Sequence, residues 1–234
     1  MTRRTVFLTL LGTLVILAIT STSCSGGEGN EVSEPLDDAP LLQNVESNIN
    51  VMSTELPNGE EMPGVYTCYG LDRSPPISWS NIPDNTQSLT LIVDEPNSPE
   101  GPHKVNWVVY NLPPDVTELP PYISTTQETA NGGTQGRNHT GRRGWTGPCP
   151  EKGGENEGFY TFNLYALDIV LDLAIEEGAQ RNDLIQSMTN HVIGHGSLMS
   201  KFCRTDAVST SASISEGSSG GRGSCPPKYE KPSE

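Results

Sequence analysis

The 234-residue chain is predicted to form a mainly β fold, an antiparallel two-sheet sandwich with one short helix toward its C-terminal end. Three observations point there. Several short apolar runs alternate with a period of two or are continuously apolar, and clusters of Pro, Gly and Asn separate them. The 19 prolines and 24 glycines suit the many turns of an antiparallel sandwich and oppose a helical bundle.

Each element has its own pattern. "SLTLIVD" places Leu89, Leu91 and Val93 on one face of a strand. "KVNWVVYN" places Val105, Trp107 and Val109 on one face and Asn106, Val108 and Tyr110 on the other, and "FYTFNLYAL" groups Tyr160, Phe162, Leu164 and Ala166. One helix is predicted over residues 181–193, where Leu184, Ile185, Met188 and Val192 recur at helical spacing.

The flanks read differently. Residues 1–24 run from Arg3 and Arg4 through "VFLTLLGTLVILAI" to "TSTSC", the basic, apolar, small-residue order of a secretory signal. The apolar run is shorter than the roughly 20 residues of a spanning helix. Small residues before Cys24 resemble a bacterial lipoprotein box, so Cys24 is the expected lipidation site, although Ser21 stands where the box carries an aliphatic residue. Residues 25–50 hold six acidic residues and no Lys or Arg, and read as an acidic, disordered tether. Residues 205–234 read as a Gly/Ser-rich tail. Residues 51–204 are left as one domain large enough for a real core.

A net charge of −15 with no basic stripe argues against nucleic acid and anionic lipid as primary partners. The membrane enters only through the lipid anchor. Besides Cys24 there are Cys68, Cys149, Cys203 and Cys225, which permit three pairings outside the cytoplasm. Cys68 with Cys149 would staple two loops; Cys203 with Cys225 would pin the tail; free thiols are the third reading.

The motifs also come in a recognisable order. "YTCYGLDRSPPISWSNIPDNTQSLTLIVDEPNSP", "NWVVYNLP", "VTELP", "GGTQGRNHTGRRGWTGPCP", "FYTFNLYALD" and "NHVIGHGSLMSKF" resemble the phosphatidylethanolamine-binding protein family, in its bacterial, Raf kinase inhibitor-like branch. The likeness covers about residues 52–202. It implies a two-sheet, Greek-key-like sandwich with a small anion pocket at one end. Carried over by position, that pocket comprises Glu95, Asn97, Pro99, Asn106, Gly147, Pro148, Gly158 and Tyr160. Glu95 and Asn97 stand where the family loop has two aspartates, and Asn106 and Gly158 stand where it has histidines. A cis peptide at Ser98-Pro99 is expected in the tight turn that carries this loop.

These replacements bear on chemistry. Histidine donates to an anion and takes positive charge near neutral pH; Asn106 never charges, and Gly158 offers only backbone. Two lost charge-assisted bonds, at roughly 1.5–3 kcal/mol each, lower affinity by about two to four orders of magnitude. Phosphate-type anions are therefore expected to bind weakly, and a neutral, hydroxyl-rich or amide-bearing ligand to fit better. Alternatively, the four polar side chains hydrogen-bond one another and bind nothing.

Other chemistry finds little support. His191 and His195 lie four apart, as a zinc pair might on a helix, but the glutamate of H-E-x-x-H is absent and Val192 takes its place, so no metal or cofactor is expected. No S-x-x-K occurs. Asp94 and Glu95, adjacent on a strand, point to opposite faces and cannot act on one bond. The long loop over residues 125–147, with Arg137, Arg142 and Arg143, reads as a solvated surface. The expected function is a secreted or lipid-anchored binding module, not an enzyme, taking a small polar ligand. The alternative is a protein-interaction module that inhibits a kinase or protease through its surface loops.

Overall fold

The computed structural model describes residues 38–98, 103–126, 128–129, 131–150, 158–173 and 178–202. Among these described residues, eight strands and one α-helix follow in chain order: β1 (Asn50–Met52), β2 (Ile77–Ser80), β3 (Ser88–Glu95), β4 (Lys104–Leu112), β5 (Glu118–Leu119), β6 (Thr134–Gln135), β7 (Gly158–Leu167), α1 (Arg181–Met188) and β8 (Val192–Phe202). A small sheet has the order β1-β2-β5 and a large one β6-β4-β3-β7-β8, with every pair antiparallel. The sandwich expected from the alternating runs is the architecture observed.

Both faces of the large sheet are covered, which is why β3 is buried along its whole length. Leu89, Leu91, Val93, Trp107, Val109, Phe162 and Leu164 face the small sheet and meet Val51, Ile77, Trp79 and Leu119. On the opposite face, Ile92, Val108, Tyr110, Tyr165 and Leu167 pack under Leu184, Ile185 and Met188 of α1. Consecutive apolar residues in these strands thus serve two separate cores.

Three expectations are corrected. Residues 38–50 are not tether: Ala39–Leu42 form a 3-10 turn, Leu41 is buried under the helix-side core and Ile49 in the inter-sheet core. The acidic composition concealed two apolar anchors with places to go. The helix ends at Met188 rather than 193, because Asn190 adopts a left-handed φ of 67° and Val192 begins pairing with Leu167. The HVIGH motif therefore spans a turn and a strand, not a helical face. His191 Nδ1 lies 2.9 Å from Asp168 Oδ1, and the His195 ring packs on Tyr165.

The third correction concerns β4. Val93 pairs with Trp107 but Asp94 pairs with Val105, so Asn106 is an extra residue in a β-bulge. Strict alternation fails there. Val105 joins the helix-side core while Trp107 and Val109 remain in the inter-sheet core, instead of all three sharing a face.

Candidate functional site

The bulge is what aims Asn106. Its side-chain Nδ2 donates to Thr146 O at 2.8 Å, and Thr146 N donates back to Asn106 O at 2.9 Å. This reciprocal pair ties β4 to the segment containing Gly147 and Pro148. Asn106 is 1 % exposed, and its Oδ1 is a buried acceptor with no hydrogen-bond partner.

The neighbouring strands bring up the other side chains. Asp94 pairs with Thr161 of β7, and continuing that register sets Glu95 level with Tyr160. Glu95 and Tyr160 are both buried, whereas Asn97 is exposed in the turn after β3. Gly158 opens β7 two residues before Tyr160, and a Cβ at Gly158 would meet the Tyr160 hydroxyl at 2.6 Å. Tyr160 thus covers the space a side chain at Gly158 would need. Pro99, and with it the expected cis bond, lies outside the described residues.

Gly147 and Pro148 are also held by the loop over residues 66–72. Gly147 N donates to Asp72 Oδ1 at 2.6 Å, Cys68 N donates to Pro148 O at 3.1 Å, and Trp145 Nε1 donates to Tyr66 O at 3.1 Å. A Cβ on Gly147 would lie 2.2 Å from Tyr66 O, so only glycine fits against this loop. Cys68 and Cys149 form a disulfide, one of the readings left open by the sequence. Cys203 and Cys225 lie outside the described residues.

Asp94 and Glu95 do diverge. Asp94 Oδ2 accepts from Arg181 Nε of α1 at 3.0 Å and lies 2.9 Å from His103 Nδ1. Arg181 NH2 also approaches Asp38 Oδ2 at 3.7 Å, and Tyr165 donates its hydroxyl to the same Asp38 oxygen at 2.9 Å. Burial, with Asp38 nearby, pushes the Tyr165 hydroxyl well above the usual phenol range. This buried ionic group was not anticipated, since nothing in the spacing of residues 38, 94, 103, 165 and 181 connects them. Asp72 and Thr146 were likewise missed.

The long loop before Gly147 is less of a surface than expected. Gln135 is fully buried, accepts from Trp107 Nε1 at 2.8 Å and donates to the Ser124 and Thr126 carbonyls, and Asn138 is buried with its Nδ2 on Gly144 O. Arg142 is exposed, but Arg143 NH1 lies on Gln135 O. Two cavities stand elsewhere. One of about 490 Å³ runs along α1 by Arg137, Gln180 and Asp183, and one of about 510 Å³ lies between Asp72–Ser74, Tyr122–Thr125 and Trp145. No group of three or more His, Cys, Asp or Glu side chains among the described residues could hold a metal ion.

Comparison with known proteins addresses what kind of site this is. The family model described as phosphatidylethanolamine-binding protein matches residues 52–203. The chain belongs to the phosphatidylethanolamine-binding protein family. A UPF0098 protein of Methanothermobacter thermautotrophicus is 41 % identical over 145 residues, 61 % of this chain and 91 % of its own length. One from Pyrococcus horikoshii is 36 % identical over 197 residues, covering 83 % of this chain and 87 % of its own. Among solved structures, a Chlamydia trachomatis protein described as a homologue of the family superimposes with a TM-score of 0.60 at 32 % identity, covering 68 % of this chain and all of that one. An Escherichia coli family member gives 0.61 at 26 % identity with the same coverage. The family resemblance read from the motif order is thereby established, and so is the fold.

Proposed function

We propose that this family member is an extracytoplasmic binding module whose pocket, at the Glu95–Asn106–Tyr160 end of the large sheet, takes a small neutral ligand rich in hydroxyl or amide donors. The observation that carries the reading is Asn106. It stands where the family has a pocket histidine, spends its only donor group on Thr146 O, and leaves Oδ1 as a buried acceptor without a partner. Buried polar atoms are normally satisfied, so an orphaned acceptor favours a ligand that donates. Glu95 adds a second acceptor at the end of β3, and among the described residues assigned to the site none is a histidine.

Location outside the cytoplasm rests on the basic-apolar-small order of residues 1–24 and on Cys68–Cys149, since disulfides persist in oxidising compartments. Lipid on Cys24 is the proposed anchor. Among the described residues neither carboxylate–histidine pair, Asp94–His103 nor Asp168–His191, has a nucleophile hydrogen-bonded to it, which favours binding over catalysis.

Thermal-shift measurements with neutral sugars, small amides and phosphoethanolamine test the ligand class, because a ligand that binds only the folded state raises its stability. A rise with a neutral donor and none with phosphoethanolamine supports the reading. The reverse pattern overturns it.

A further inference from the structure

The segment that closes the pocket is attached to a single loop. Within residues 66–72, Tyr66 O accepts from Trp145 Nε1, Cys68 N donates to Pro148 O, Tyr69 donates its hydroxyl to Pro150 O, and Asp72 accepts from Gly147 N. Four hydrogen bonds and one covalent bond, Cys68–Cys149, join the same two stretches of chain. Cys149 is exposed and Cys68 half-buried, so the bridge lies at the surface of the domain rather than in its cores. On its pocket side the segment meets Asn106 through the reciprocal Thr146 pair.

We propose that the Cys68–Cys149 disulfide is a redox-controlled latch that holds Thr146–Pro148 against Asn106, so that a dithiol reductant loosens the pocket wall without unfolding the sandwich. The proposal rests on the pocket assignment above. In the first step a reductant thiolate attacks Cys149 Sγ, the S–S bond breaks, and Cys68 leaves as a thiolate that takes a proton. The second reductant thiol then displaces Cys149, leaving the reductant as a disulfide and the protein with two thiols, a two-electron, two-proton exchange.

Geometry makes the effect local. The bridged residues are 81 apart in sequence, and without the bond Gly147–Pro150 are tied to the short, partly exposed loop over residues 66–72 by hydrogen bonds alone, while Trp145 stays anchored in the core and Thr146 keeps its pair with Asn106. Trp145 and Asp72 also line the cleft of about 510 Å³, which gives the released segment space to move into. Neither cysteine belongs to the two cores of the sandwich.

Amide hydrogen exchange on the oxidised full-length protein and on protein treated with dithiothreitol reads the latch without any ligand. A failed latch can therefore be told from a failed ligand assignment. Reduction is verified by alkylation of the Cys68 and Cys149 peptides. Exchange at the Thr146 and Gly147 amides is expected to accelerate by about tenfold or more while β3 and β7 stay protected, as local opening requires. A Cys68→Ser, Cys149→Ser variant is expected to show the fast exchange with or without reductant. Unchanged exchange at Thr146 and Gly147 after confirmed reduction overturns the proposal, as does acceleration spread evenly through β3 and β7.

Discussion

The Tyr160 hydroxyl lies 2.6 Å from the point a Cβ on Gly158 would occupy, so the tyrosine ring is folded back over its neighbour two residues earlier on β7. Tyr160 is 2 % exposed and has little room to retreat. Gly158→Ala is therefore expected to destabilise the domain by about 1–3 kcal/mol, the usual cost of overpacking. In a Tyr160→Leu background the same change is expected to cost about 1 kcal/mol less, a coupling that urea denaturation of the four proteins measures.

Asn106 offers a sharper test of polarity. Asn106→Asp replaces the Nδ2 donor with an oxygen facing Thr146 O, setting two acceptors together in a buried site. A loss of about 3 kcal/mol at pH 7 is expected, of the size found for an uncompensated buried charge. The buried carboxyl's pKa is raised on folding, so the loss is expected to shrink as pH falls and the group protonates. Stability of the variant measured against pH checks both the size and the sign.

The buried pair of Arg181 and Asp94 anchors the start of α1 to β3. Arg181→Met leaves the Asp94 carboxylate, 1 % exposed, without its guanidinium partner and is expected to cost about 3–5 kcal/mol. Arg181→Met with Asp94→Leu is expected to be the more stable of the two variants, because the buried Asp94 carboxylate is then not stranded. Chemical denaturation of both proteins decides this.

His195 sets an acid limit. Burial lowers its pKa below 6.5, only partly opposed by Asp38. The unfolded chain then binds the proton more readily, so this contribution to stability is complete above about pH 6.5 and is lost as pH falls through the lower folded value. His195→Gln is expected to flatten that part of the profile, which thermal melts between neutral and mildly acidic pH record.

Much of the fold was legible because it rests on repeating patterns. The runs around Leu89–Val93 and Tyr160–Ala166 alternate as strands must, and both occupy the faces their period assigns. The reading failed where one residue breaks the period: Asn106 in its bulge reverses the face of Val105, and Asn190 with positive φ ends α1 early. The candidate site was visible in part. Motif order located Asn106, Gly147 and Tyr160, but the partners that fix them, Thr146 and Asp72, come from distant segments with no local signature. The ionic group around Asp94 was hidden for the same reason, since only the folded sheet brings Asp38, Arg181 and His103 to it.

Calorimetric titration of the wild-type protein with phosphoethanolamine bears most directly on the pocket. With Asn106 unable to take positive charge and Tyr160 lying over Gly158, the expected result is no saturable binding, or a Kd of about a millimolar or weaker. A Kd in the range of about a micromolar would contradict the account, because the site would then be holding the anion without the charge on which such binding is argued to depend.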